Sequence, residues 1–232
     1  MEKDILIIPD THGRTFWKDA VHHSEDCETI IFLGDYLDPY PHERITPLEA
    51  QEQLQEILEF AEENPERVIM LLGNHDMHYV SDTYKRLAVS SRYNTMMASE
   101  FHQTFQEHLE RFQLSWECTR NGKRYLFTHA GISKGWYQRN RDTIGEPTIQ
   151  NLNKLLYTEE GIYALGQIGY ERGGNYLYGS MVWADLIELG YGEIFPNTYQ
   201  IFGHSQQHKN PIITTHWACL DCRRAFKLSQ LS

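Results

Sequence analysis

Three short apolar runs punctuate the first third of the chain. They cover residues 4–9, 29–33 and 67–72, and turn residues or polar side chains follow each of them. Runs of this length that are rich in Ile, Val and Leu are typical of strands buried on both faces. We therefore predict three buried strands in this part of the chain.

Helical patterns separate these runs and follow them. Thr46, Pro47 and Glu49 fit the cap, first-turn proline and capping-box positions of a helix that Pro65 closes. Residues 95–112 carry a second stripe of apolar side chains at helical spacing, which we interpret as core packing. The alternation of strand and helix predicts a layered fold.

The second half of the chain favours strands again. Asn121-Gly122 separates two runs, 114–119 and 123–128, as in a β-hairpin. Residues 148–169 have a helical pattern, and strand character returns at 199–203 and 212–226. No linker or repeat divides the sequence, so we predict one α/β domain over residues 1–232, of the layered α+β kind.

Charge and cysteine content narrow the function classes. The chain has 21 Lys and Arg against 32 Asp and Glu, a net charge of −11 that disfavours stable nucleic-acid binding and anionic membranes. No apolar run approaches the ~20 residues of a membrane span. Four scattered cysteines do not form a disulfide framework, so we expect a cytoplasmic protein. These are Cys27, Cys118, Cys219 and Cys222.

Polar residues follow five of the predicted strands at the point where each strand ends. In open α/β sheets, ligands bind at the carboxyl ends of the strands. Oxygen and imidazole ligands without thiolates suit Mn, Fe, Zn, Mg or Ni, and one central carboxylate can bridge two ions in phosphate chemistry. The five blocks are Asp10-Thr11-His12, Gly34-Asp35-Tyr36-Leu37-Asp38, Gly73-Asn74-His75-Asp76, His129-Ala130-Gly131 and Gly203-His204.

These five blocks, in this order, resemble the motifs of the calcineurin-like metallophosphoesterase superfamily. The G-D-Y-x-D and H-A-G blocks, together with Trp183-Ala184-Asp185, are most similar to the phosphoprotein phosphatase (serine/threonine phosphatase) branch and its bacterial relatives. The resemblance implies a β-sandwich of two mixed sheets flanked by helices. It also implies a phosphoric ester hydrolase with two divalent metal ions, for which we expect Mn, with Fe, Zn, Ni or Mg as alternatives.

The resemblance assigns roles residue by residue. It implies His75 as the general acid for the leaving alkoxide, with Asp38 orienting its imidazole and favouring the charged form. A metal-bridging hydroxide would attack phosphorus. The implied ligands are Asp10, His12 and Asp35 for the first metal, and Asp35, Asn74, His129 and His204 for the second, with Asp35 shared.

The arginines depart from the phosphatase pattern. Pro39 and Leu72 stand where that branch usually has arginines that clamp phosphate. Because bidentate recognition of phosphate favours arginine, we expect a replacement elsewhere. Our first choice is Arg172, and Arg14 and Arg44 are the alternatives.

Three functions fit these residues. The first is hydrolysis of phosphomonoesters, including phosphoserine or phosphothreonine in proteins. The missing arginines favour an alternative, the hydrolysis of a dinucleoside polyphosphate or another phosphodiester. The third is a scaffold that kept the fold and lost catalysis, which the full set of ligands disfavours. Nothing in the sequence demands more than a monomer, and Cys219 and Cys222 favour a structural role over a metal or redox pair.

Overall fold

The computed structural model describes residues 3–190, 195 and 197–231, and within these it has ten strands. They are β1 (Asp4–Ile8), β2 (Cys27–Phe32), β3 (Val68–Leu71), β4 (Phe112–Gln113), β5 (Ser115–Arg120), β6 (Lys123–Thr128), β7 (Thr198–Phe202), β8 (Ile212–Ile213), β9 (Trp217–Cys219) and β10 (Phe226–Lys227). The strands form two five-stranded sheets, ordered β10-β1-β2-β3-β4 and β5-β6-β7-β9-β8.

Both sheets are mixed. In the first sheet β1 to β4 are parallel, and β10 pairs antiparallel with β1. In the second, β6, β7 and β9 are parallel, while β5 and β8 lie antiparallel at the two edges. The hairpin of β5 and β6 turns at Asn121 and Gly122, both with positive φ as this tight turn requires.

Helices cover the sheets. They are α1 (Phe16–His22), α2 (Pro47–Glu63), α3 (Asn74–Val80), α4 (Asp82–Ala88), α5 (Ala98–Glu107), α6 (Lys134–Arg139), α7 (Arg141–Ile144), α8 (Ile149–Lys154), α9 (Glu159–Leu165) and α10 (Leu186–Leu189). The predicted start of α2 is confirmed, because Thr46 and Glu49 form a reciprocal capping box. None of the described helices is both long and apolar enough to span a bilayer.

Alternation along β1 shows how the layers pack. Ile5 and Ile7 belong to a buried cluster between the two sheets, together with Ile201 of β7. Leu6 and Ile8 point to the other face and pack against the helices. The architecture is therefore a β-sandwich of two mixed sheets flanked by helices, as expected.

Three predicted segments are shorter or more broken than their patterns suggest. The helical stripe at 95–112 ends at Glu107, because Phe112 pairs with Met70 as the first residue of β4. The helix at 148–169 is two helices separated by a 3-10 turn, since Thr158 adopts an extended conformation and caps α9. The strand at 212–226 is three short strands separated by loops.

Candidate metal centre

The five polar blocks meet at one edge of the sandwich. Asp10 and His12 follow β1, and Asp35 follows β2, while the remaining blocks follow β3, β6 and β7. These strands run parallel within their own sheets, so each sheet delivers its carboxyl ends to a common edge. The juxtaposition expected from the sequence is therefore present.

Glycines allow the loops to approach one another closely. A Cβ atom on Gly73 would lie 2.1 Å from Asp35 Oδ1 and 2.7 Å from His129 Cε1. A Cβ atom on Gly203 would lie 1.9 Å from Asp10 Oδ2. No real side chain fits these gaps, so both positions require glycine.

Four of the polar residues adopt a left-handed backbone that non-glycine residues rarely populate. Such conformations cost about 1–3 kcal/mol each and cluster at functional sites. The surrounding loops hold the chain in these conformations and turn the side chains towards a common centre. The residues are His12, Asp35, Asp38 and His204, with φ of 45°, 56°, 57° and 61°.

The first cluster consists of Asp10, His12 and Asp35, whose potential ligand atoms all lie within 4.8 Å of one another. Nδ1 of His12 donates to the carbonyl oxygen of Leu37 at 2.7 Å. The lone pair of His12 therefore resides on Nε2, which lies 3.5 Å from Asp35 Oδ2. The amide of His204 donates to the carboxylate of Asp10 and orients it.

The second cluster consists of Asp35, His129 and His204. His129 donates from Nδ1 to the carbonyl of Leu33 at 2.8 Å, which leaves the lone pair on Nε2. That nitrogen lies 3.0 Å from Asn74 Oδ1, 3.2 Å from His204 Nδ1 and 3.5 Å from Asp35 Oδ2. Nitrogen and oxygen lone pairs thus converge on one small volume.

The electrostatics of both clusters fit a cation. Burial raises the pKa of Asp10 to about 6 and that of Asp35 to about 7, and each of these carboxylates has another carboxylate nearby. Burial lowers the pKa of His12, His129 and His204, which keeps the imidazoles neutral and able to act as ligands. Divalent cations in this donor set would relieve the repulsion between the carboxylates.

Asp76 braces the loops that carry these ligands. Its buried carboxylate accepts hydrogen bonds from the backbone amides of Asp35, Tyr36 and Gly73 at 2.7–2.9 Å. The loop after β2 and the loop after β3 are thereby tied together. Asp76 was visible in the third block, but only the structure shows its bracing role.

Asp38 holds His75 in a buried hydrogen-bonded group. Nδ1 of His75 lies 2.8 Å from Asp38 Oδ2, and His78 Nε2 lies 2.9 Å from the same oxygen. Tyr79 donates its hydroxyl to Asp38 Oδ1 at 2.5 Å. Burial raises the pKa of Asp38, but the hydrogen bonds from His75 and His78 outweigh it and hold that pKa below its ordinary value.

Opposing effects set the pKa of His75. Burial lowers the pKa of His75 to about 4, and nearby Arg92 lowers it too, against the opposite effect of Asp38. Asp38 thus favours the charged form of the ring, in the direction that the resemblance implies, while burial favours the neutral form. The bond between His75 Nδ1 and Asp38 is present, and the orienting role of Asp38 stays a prediction.

Arg172, the preferred phosphate clamp, lies beside the second cluster. It forms a short hydrogen bond to the Ser205 hydroxyl, next to His204, and its Nε lies 2.9 Å from Asp185 Oδ2. The Trp183 ring packs edge-on against the His204 ring, with centroids 5.8 Å apart. The Trp183-Ala184-Asp185 segment thus lies at the site, and the Arg172 side chain is about one quarter exposed.

The other two predicted arginines are placed differently. Arg14 donates to both carboxylate oxygens of Glu43 and to the carbonyl of Asp10, so it supports the loop after β1. Arg44 is exposed, at the end of a 3-10 turn with φ of 59°. Neither placement resembles a free phosphate clamp.

Two charged residues at the site were not predicted. Arg92 lies 2.9 Å from His75 Nε2, although its segment follows a helix and no strand end marks it. Asp221 is buried in the loop after β9, and neither of its carboxylate oxygens bonds to a described residue. Burial and Asp10 raise its pKa well above the ordinary value. The sequence pattern predicts one strand through this segment, so it did not indicate that Asp221 lies in a loop at the site.

Cys219 and Cys222 are buried free thiols near this loop. Cys219 donates to the carbonyl oxygens of Gly203 and Ser205 at 3.3 Å, and burial raises its pKa to about 12. A thiol with that pKa is a poor nucleophile and metal ligand. Its contacts instead support the loop that carries His204.

Residues 3–208 match the sequence profile of the calcineurin-like phosphoesterases, and the chain belongs to this family. A search among curated proteins found no match.

Solved structures show remote similarity to the chain. A hypothetical protein, PH1004, from Pyrococcus horikoshii OT3 has a TM-score of 0.35 and 11% identity, with 56% of each chain covered. The phosphatase domain of the Legionella effector WipB has a TM-score of 0.33 and 13% identity, over 59% of this chain and 52% of that one. The chain thus spans about half the length of both. An archaeal phosphodiesterase has a TM-score of 0.35 and 11% identity, over 99% and 96%.

Proposed function

We propose that the chain is a metal-dependent phosphomonoesterase of the serine/threonine protein phosphatase type. The observation that carries the proposal is that two ligand clusters share Asp35 and lie directly beside the His75–Asp38 pair. The rings of His12 and His75 contact each other edge-on, with centroids 5.2 Å apart. A phosphate held at the clusters would therefore lie next to an imidazole that can serve its leaving group.

Two divalent ions fit these residues. One would be held by Asp10, His12 and Asp35, and the other by Asp35, Asn74, His129 and His204, with Mn as the first ion to test. When bound, the ions would stabilise charge on the phosphate oxygens and lower the pKa of a bound water.

The protein's own residues would then position the substrate and move one proton. The imidazolium form of His75 would donate its Nε2 proton to the leaving alkoxide and become the neutral ring, while its Nδ1–H stays bonded to Asp38. His78 and Tyr79 fix Asp38 in turn, so the imidazole has little freedom to rotate. This rigidity favours a defined direction of proton transfer.

The missing arginines support a second candidate, hydrolysis of a phosphodiester or dinucleoside polyphosphate. Pro39 and Leu72 occupy positions where a phosphatase usually has cationic clamps. A dianionic monoester depends more on such clamps than a diester, which carries a single negative charge. The choice between the candidates therefore depends on whether other cations serve the phosphate.

Hydrolysis assays with the Mn-loaded protein distinguish these functions. The substrates are p-nitrophenyl phosphate with a phosphoserine peptide, bis-p-nitrophenyl phosphate, and diadenosine tetraphosphate. We expect preference for the monoester and the peptide, loss of activity with EDTA, and recovery with Mn. Preference for the diester or the polyphosphate would favour the second candidate, and activity indifferent to EDTA would contradict the metal assignment.

A further inference from the structure

Arg92 lies between His75, the proposed general acid, and His12, a candidate metal ligand. Its Nη2 is 2.9 Å from His75 Nε2 and 3.4 Å from His12 Nε2. In both rings the other nitrogen, Nδ1, is bonded elsewhere. Nδ1 of His75 is bonded to the Asp38 carboxylate, and Nδ1 of His12 to the Leu37 carbonyl. The guanidinium therefore faces the nitrogens that the proposed function assigns to the leaving group and to a metal.

The remainder of the guanidinium is held independently of those nitrogens. Nη1 donates to the Asp38 carbonyl at 2.5 Å, and the guanidinium carbon lies 3.7 Å from the centroid of the Tyr40 ring. Stacking and one backbone bond fix the plane of the group. Nη2 faces the two imidazoles of the site.

The segment that carries Arg92 is anchored on both sides. The Ser90 hydroxyl lies 3.0 Å from His75 Nδ1 and accepts from the Arg92 amide at 3.1 Å. The Asn94 amide donates to the Tyr79 hydroxyl at 2.8 Å, and Tyr93 stacks on Tyr79. Arg92 is thus attached to the same helix, α3, that positions His75.

Arg92 differs from the other arginines near the site in its partners. Arg14 pairs with Glu43, and Arg172 pairs with Asp185. Among the described residues, no carboxylate side chain forms an ion pair with Arg92, whose side-chain partners are neutral rings. Arg92 acts electrostatically on the buried carboxylates of Asp35 and Asp221, but none of the described carboxylates lies within ion-pair distance of it. A partly buried guanidinium in this position is suited to bind an anion.

We propose that Arg92 binds the phosphoryl group of the substrate and makes the site selective for dianionic monoesters, an inference that rests on the proposed function. Tyr40, in the loop after β2, supplies the ring over which the Arg92 guanidinium lies. The cation therefore reaches the site from the segment between α4 and α5. It places a positive charge beside His75.

Phosphate binding and substrate selectivity test this role. Inorganic phosphate is titrated calorimetrically into the Mn-loaded wild type and Arg92→Ala, and kcat/KM is measured for p-nitrophenyl phosphate and its bis ester. Loss of a charge-assisted bond should weaken phosphate binding and monoester hydrolysis by about tenfold to a hundredfold. Hydrolysis of the bis ester should fall by less than about threefold.

Two further variants control the experiment. Arg86→Ala removes an exposed arginine of α4, six residues away, and should leave all three quantities within about twofold. Arg92→Lys keeps the charge and loses the planar fork, so we expect an intermediate loss of phosphate affinity, at least about threefold. This variant also serves if Arg92→Ala does not fold.

The outcomes separate this inference from the proposed function. Unchanged phosphate affinity in the Arg92 variants, or equal loss for monoester and diester, overturns the role of Arg92. A wild type that binds phosphate but prefers the diester overturns the proposed function, and the phosphate titration still measures whether Arg92 contacts the anion.

Discussion

At His75 the deciding contact is the 2.8 Å hydrogen bond between Nδ1 and Asp38. It directs Nε2 towards the clusters and leaves the ring no other carboxylate partner among the described residues. A ring fixed in this way can serve as a proton donor only through Nε2. The effect of a His75 substitution should therefore depend on how much the leaving group needs a proton.

We expect His75→Asn to lower kcat for an alkyl phosphate by about 10²–10⁴, because its alkoxide leaves poorly without a proton. The loss should be much smaller for p-nitrophenyl phosphate, whose leaving group is a stable phenolate. Steady-state kinetics with both substrates measure the difference, and calorimetry should show unchanged Mn binding. An equal loss for both substrates would remove His75 from the role of general acid.

Residue roles differ in how far the sequence predicts them. The candidate ligands follow strand ends, so periodicity places them, and the structure brings them together. Arg92 and Asp221 follow no such pattern: one lies between two helices and the other in a loop that was expected to be a strand. The positive φ angles at four site residues are likewise set by the loops around them.

At the scale of elements, the site depends on how closely the loops after β2 and β3 approach. Gly73 lies at their contact, where Asp35 Oδ1 and His129 Cε1 leave no room for a methyl group. Asp76 ties the same two loops together through three backbone amides. A small change at this contact should therefore affect both clusters.

We expect Gly73→Ala to destabilise the protein by about 1–3 kcal/mol through overpacking. It should also displace Asp35 and weaken Mn binding by at least about tenfold, since ligand geometry governs affinity. Thermal unfolding and calorimetric titration measure the two effects. Gly122→Asn in the hairpin turn is the control, because Asn tolerates its positive φ and no atom crowds it. Normal Mn affinity in Gly73→Ala would contradict the tight contact.

The elements were predictable where local signals are strong. The capping box of α2 and the Asn121-Gly122 hairpin are local features, and both are present. The C-terminal end of α5 is set by the tertiary pairing of Phe112, and the break between α8 and α9 by the extended Thr158. Sequence periodicity does not reveal where tertiary pairing or an extended residue ends a helix, so it overestimates the length of these elements.

At the scale of the whole molecule, an acidic chain concentrates buried carboxylates at one edge of a β-sandwich. The net charge of −11 disfavours polyanionic partners, yet the site presents Arg92 and Arg172 beside the clusters. The positive charge of these two arginines is thus confined to the site, where it favours the binding of a small anionic group. A single domain over residues 1–232, a cytoplasmic location and a monomeric state stay predictions.

Calorimetric titration of metal-free protein with Mn²⁺, in the wild type and in Asp35→Asn, tests the central claim most directly. Asp35 belongs to both ligand clusters, so the wild type should bind two ions. The variant, which lacks the shared charge, should bind both at least about tenfold more weakly. One ion in the wild type, or loss of a single ion in Asp35→Asn, would contradict a dinuclear site bridged by Asp35.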